Sequence, residues 1–213
     1  MKTPGAYRRA KALIPALTLA ALVLTATVTP LASMPAHAAS DAKLSAEALK
    51  EQEIKMQDFA NEIVDAQKKG DTATVLRLVK SLLPNAERLD KGLNPKLPAA
   101  TRDKIVAFHA KVPMDDAALA KLFAIKPDQT VVIVHTATTE QLAKNQRDTV
   151  ASLEFPGGAH RLAKQGILRP GMTFYEIEFV APGASSGTKF HLFYWDGTGW
   201  AMLGPIWRAT GEE

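Results

Sequence analysis

Hydrophobic periodicity changes once along this chain, at Lys126-Pro127-Asp128, and that change constrains the fold more than any motif does. Before it, apolar residues recur at spacings of three and four, as on one face of a helix. After it, they fall in short β-branched and aromatic runs that alternate in steps of two. Helices first and strands afterwards specify an α+β protein rather than a βαβ sheet.

The helical part divides at its caps. From Ser45, SAEALKEQEIKMQDFANEIVDAQKKG places Met56, Phe59, Ile63 and Ala66 on one face, and Lys68, Lys69 and Gly70 stop it. Asp71 caps a second helix, DTATVLRLVKSLL, whose stripe is Val75, Leu78, Val79 and Leu82; Pro84 ends it. The pair reads as a helical hairpin. PNAERLDKGLNPKLP reads as irregular, a surface loop or a hinge. Pro98 opens a third helix reaching about Val112, with Ile105, Phe108 and Val112 on its apolar face. Asp115 or Asp116 caps a fourth carrying Leu119, Leu122 and Phe123.

Beyond Pro127, QTVVIVHTA predicts a mostly covered strand, TTEQLAKNQ is ambiguous and suits one helical turn, and DTVASLEF predicts a second strand ending at Pro156-Gly157-Gly158. MTFYEIEFV is the clearest strand, with Tyr175, Ile177 and Phe179 on one side and Phe174, Glu176, Glu178 and Val180 on the other. TKFHLFYW and GWAML follow, joined by Asp196-Gly197-Thr198-Gly199, which suits a tight hairpin. The predicted fold is α+β: N-terminal helices packed on one face of a curved antiparallel sheet of about four to five strands.

The first 38 residues read differently. Lys2, Arg8, Arg9 and Lys11 precede an uncharged apolar run, and Pro35-Ala36-His37-Ala38 closes on an A-x-A pattern, the layout of a secretory signal peptide. The run is long enough to span a bilayer, so an uncleaved anchor is the competing reading. Cleavage after Ala38 leaves a flexible leader (39–44), one α+β domain (45–208) and a short tail (209–213). The expected location is periplasmic or secreted, with membrane contact only through the signal before cleavage. The whole chain has 26 Lys+Arg and 22 Asp+Glu. Four of the basic residues lie in 1–38, which leaves 22 against 22 and no basic excess for nucleic acid. With no cysteine, disulfides, thiol catalysis and Cys-ligated zinc are excluded.

The junction VDAQKKGDTATVLRLV and the closing FHLFYWDGTGWAML together resemble NTF2-like domains. That resemblance implies a cone of helices around a bent sheet with a pocket at its open end. The superfamily holds enzymes, ligand carriers and assembly modules, so it does not choose a function.

Two groups of residues compete as sites. In the terminal hairpin, His191, Phe193 and Trp195 alternate with Phe190, Leu192 and Tyr194. Tyr194, Trp195 and Trp200 either stabilise the ribbon as core and cross-strand pairs or wall an apolar ligand pocket. The polar group is Glu154, Glu176, Glu178 and His191, each placed on a predicted strand, with His135 closing the most apolar one. A carboxylate on a lined face would be a general base; alternation of charge on one side is the usual mark of a solvated face. His135 reads as a hydrogen-bonded boundary residue. PGGAHRLAKQ reads as a turn leading to a basic solvated helix. No H-x-x-x-H or H-E-x-x-H spacing occurs, so a metal site would need distant positions, and neither metal nor cofactor is expected.

The sequence therefore favours an exported, non-catalytic binding module for a small apolar or amphipathic molecule or a protein partner. One alternative is a hydrolase or isomerase with Glu176 or Glu178 as base, assisted by His191 or His135. The other is an envelope interaction module in which the aromatics form a homodimer interface.

Overall fold

The computed structural model describes residues 45–211. The expected signal segment and leader lie outside the described residues. Among the described residues, nine helices and four strands follow in the order α1 (Ala46–Lys68), α2 (Thr72–Leu82), α3 (Ala86–Gly92), α4 (Ala99–His109), α5 (Asp116–Leu122), β1 (Val131–Thr138), α6 (Thr139–Lys144), α7 (Val150–Glu154), α8 (Gly157–Lys164), β2 (Thr173–Val180), β3 (Thr188–Trp195), β4 (Trp200–Met202) and α9 (Trp207–Thr210). The class is mixed α+β, and the strands form one open antiparallel sheet in sequential order.

Side-chain caps set most helix starts. Ser45, Asp71, Asn85, Asp115, Thr138 and Thr149 each accept a hydrogen bond from a first-turn backbone N–H. Two of these caps overturn sequence expectations. Asn85 starts α3 inside the stretch read as irregular, burying Leu89 and Gly92. Thr149 and Ser152 form a reciprocal capping box, so the segment read as a second strand is the short helix α7. Pro156 then separates α7 from α8. Helix α8 is no solvated helix either: Gly158, Ala159, His160, Leu162 and Ala163 are buried, and His160 Nδ1 lies 2.9 Å from the carbonyl of Leu142.

The sheet divides two apolar clusters. On its first face, Tyr175, Ile177, Phe179, Phe193 and Trp200 pack with Met56 and Ile63 of α1, Leu78 and Leu82 of α2, and Leu119 of α5. On its second, Phe174, Leu192 and Tyr194 pack with Leu89, Ile105, Leu142, Ala151 and Leu162 from α3, α4, α6, α7 and α8. Helices thus feed cores on both faces, where the sequence predicts one. Helices α3 and α4 contribute Leu89 and Ile105 to the second face, and the connection between β1 and β2 supplies the rest of its cover. These strands pair directly, yet the chain between them carries α6, α7 and α8 across the second face. Alternating hydrophobicity alone does not reveal such a cover.

A β-bulge in β3 corrects a further expectation. Tyr175 pairs with Phe193 and Ile177 with Phe190, so His191 and Leu192 both stand opposite Glu176. Leu192 takes φ +60°, a left-handed conformation that a bulky residue adopts only under constraint. His191 therefore shares the second face with Leu192 and Tyr194, not the first face with Phe193 and Trp195. The hairpin beyond it is anchored from α3. Arg88 is ion-paired to Asp196, and its guanidinium also donates to the carbonyls of Trp200 (2.6 Å) and Ser81 (2.8 Å). The ring of Tyr194 lies against Gly92, where a Cβ would meet it at 2.9 Å, and its hydroxyl donates to the carbonyl of Arg88.

Candidate functional site: a carboxylate–histidine–lysine cluster

Three strands and one helix deliver six ionisable side chains to a single place on the second face. The ladder dictates most of it, because directly opposed residues of an antiparallel pair share a face. His135 of β1 opposes Glu176, Ile133 opposes Glu178, and Lys189 of β3 opposes Glu178. The bulge adds His191. Helix α7 ends on Glu154, which arrives from the cover.

Lys189 is the hub. Its Nζ lies 2.8 Å from Glu154 Oε2, 3.0 Å from Glu176 Oε1 and 3.6 Å from Glu178 Oε2. Burial works against its charge, but the three carboxylates outweigh burial and hold it above the usual lysine range. The hydrogen bond from Lys189 holds the Glu154 carboxyl below its ordinary range against desolvation, with His135 adding to the effect. His191 Nδ1 lies 2.6 Å from Glu176 Oε2. An ionised carboxylate only accepts, so Nδ1 is the donor of this contact and Nε2 is the ring's other nitrogen. The indole of Trp207 stands beside this imidazole, ring centres 5.9 Å apart. Glu178 also accepts from the backbone N–H of Gly187 at 2.6 Å.

Sequence reasoning places Glu176 and Glu178 on a solvated face. The structure corrects this: Glu176 is fully buried and Glu178 is 4% exposed. Two buried polar atoms of the cluster lack a hydrogen bond. One is His135 Nε2, which has Glu154 Oε2 at 3.5 Å and Glu178 Oε2 at 3.7 Å. The other is Glu176 Oε1, which sits within ion-pair distance of Lys189 but outside hydrogen-bonding geometry. The cluster lies at the boundary of the cover. Along β1 on the same face, Ala137 is buried, while Ile133 and Val131 are about two-fifths exposed.

All four expected acid–base candidates, Glu176, Glu178, His191 and His135, meet here, together with Glu154. Lys189 is the participant that sequence reasoning missed. The signal available was its position directly after Thr188 in a strand whose alternation puts it opposite Glu178. The expected aromatic wall is not brought together. Tyr194 is buried in the second-face core, whereas Trp195 and Trp200 pair edge to face at 5.3 Å on the first.

An α+β scaffold with a largely buried ionic centre on one sheet face is thus what the fold and site define. No protein-family model, curated protein or solved structure matches this chain. Among the described residues, no helix is long and apolar enough to cross a membrane.

Proposed function

We propose that the protein is an exported, non-catalytic binding module whose recognition centre is the cluster around Lys189, and that its ligand is a small amphipathic cation. One observation carries this reading: three carboxylates, two of them buried, converge on one partly exposed ammonium. Three carboxylates face a single ammonium, and buried charge without a partner is costly. A ligand that supplies positive charge balances the account. The exposed apolar pair Val131 and Ile133 continues the same face and offers a seat for the ligand's apolar part. The apolar interior supports a wholly apolar ligand less well, because the space between α1, α2, α5 and the sheet encloses only about 10 Å³.

Native mass spectrometry of the purified protein tests this. A retained small-molecule mass, lost on denaturation and absent from Glu176→Gln, is the expected result. A ligand retained equally by both proteins overturns it.

A second reading follows from the Glu176–His191 contact. A buried carboxylate that fixes an imidazole tautomer leaves Nε2 as a general base, as in an isomerase or water-activating hydrolase. Turnover of ester or keto-acid substrates that vanishes in His191→Gln would favour it over the binding module.

A further inference from the structure

From the geometry of this cluster we infer that His135, Glu154 and Glu178 form a binding site for a divalent transition-metal ion, and that Lys189 is the resident cation the metal displaces. The inference rests on the cation-binding reading above and specifies an inorganic ligand for the same centre.

Donor placement is the first support. One atom from each of the three side chains lies within 4.8 Å of the other two. His135 Nε2 stands 3.5 Å from Glu154 Oε2 and 3.7 Å from Glu178 Oε2. Tetrahedral ligands about 2.1 Å from a zinc ion stand roughly 3.4 Å from one another, so only small side-chain adjustments close the shell. The second support is chemical and independent of spacing. His135 Nε2 is buried, has no hydrogen bond, and is aimed at two carboxylate oxygens. A buried ring nitrogen without a hydrogen bond is a vacant coordination position for a metal. Deeper in the cluster, the fully buried Glu176 Oε1 also lacks a hydrogen bond. The third support is charge. The same Glu154 and Glu178 oxygens that face His135 face Lys189 Nζ, at 2.8 and 3.6 Å. The ammonium and a metal therefore compete for one pair of oxygens, and a divalent ion satisfies the charge surplus that a single ammonium leaves.

The donor set selects the ion. One imidazole with two carboxylates suits zinc, cobalt, manganese or ferrous iron, whereas calcium and magnesium prefer oxygen alone. Three protein ligands leave a fourth position open. Binding forms coordinate bonds from Nε2 and the two carboxylates and moves the Lys189 ammonium toward solvent, where it is already about one-quarter exposed.

The test is zinc titration calorimetry and cobalt absorption on the purified protein, its Lys189→Met variant, and His135→Ala and Glu154→Gln, with folding checked by circular dichroism. One equivalent of zinc is expected, with visible cobalt bands of a low-coordinate nitrogen–oxygen site. Affinity should rise roughly tenfold in Lys189→Met, because the competing ammonium is gone. It should fall at least roughly tenfold in folded His135→Ala or Glu154→Gln. Lys189→Met should also melt lower without metal and recover with zinc. Absent binding in both the wild type and a folded Lys189→Met overturns the inference, as does binding that folded His135→Ala leaves unchanged. If zinc fails while an organic amine is still retained in a Glu176-dependent manner, the metal assignment falls and the binding reading stands. If both fail, the cluster is structural.

Discussion

The imidazole of His191 is held by a carboxylate that water does not reach: Glu176 lies 2.6 Å from Nδ1 and is fully buried. Desolvating that charge costs several kcal/mol before its partners are counted. Glu176→Gln keeps the shape, removes the charge and leaves Lys189 with two carboxylates. Its stability should stay within about 1 kcal/mol of wild type while ligand retention is lost. Urea unfolding of both proteins checks this. A loss of about 3–5 kcal/mol would show instead that the ion cluster holds the fold.

Leu192 should reverse a common order of substitutions. Its side chain is fully buried and its φ is +60°. Alanine and glycine both remove the same packing, at about 2–5 kcal/mol. Only glycine also relieves the left-handed conformation, by about 1–2 kcal/mol. Leu192→Gly should therefore be more stable than Leu192→Ala by about 1 kcal/mol, although glycine is normally the worse residue in a strand. Equal or opposite melting temperatures would mean that the bulge is not enforced.

Asp196 ties stability to acid. Burial alone would push its carboxyl up, but hydrogen bonds from Arg88, Thr198 and Gly199 outweigh burial and hold it well below the ordinary 3.8. A depressed carboxylate contributes stability above its unfolded value and loses it as pH falls through the folded one. Asp196→Asn should cost about 3 kcal/mol at pH 7. The gap from wild type should shrink on acidification below pH 3.8, as the wild type loses what the variant never had. Urea midpoints at neutral pH and in strong acid measure the gap; an unchanged difference would exclude the linkage.

Gly158 and Trp207 should couple strongly. A Cβ on Gly158 would lie 2.2 Å from the indole. Gly158→Ala should cost about 1–3 kcal/mol by overpacking. In a Trp207→Ala background the clash is gone and only the helix propensity of alanine remains, so the same change should stabilise by up to about 1 kcal/mol. A double-mutant cycle reads the change of sign.

The helical hairpin was legible because its information is local. Asp71 caps as expected, and Leu78, Val79 and Leu82 bury the stripe that spacing assigns them. Strands β2, β3 and β4 were legible from alternation and the Asp-Gly turn. What failed depended on distant partners. Glu176 and Glu178 read as solvated because nothing beside them announces α6 to α8 lying overhead. Glu154 reached the cluster from a helix where a strand was expected, since Thr149 and Ser152 capped a segment whose apolar pattern suited either state. Uninterrupted alternation puts His191 on the wrong side of its strand, because a bulge is a backbone event that leaves no periodic trace when its left-handed residue is leucine.

That leucine acts as a frame marker. Upstream of it Lys189 points to the ionic centre and Phe190 to the first-face core; downstream the parity is inverted, so Tyr194 and Trp195 take the sides that uninterrupted alternation would have exchanged. Flattening the bulge with every residue kept would exchange those sides and send Tyr194, with its hydroxyl, into the core now filled by Trp195 and Trp200. Deleting one residue at the bulge would instead leave both flanks of β3 on their present sides. One extra residue thus keeps the ionic centre and the aromatic hairpin on the sides they now occupy.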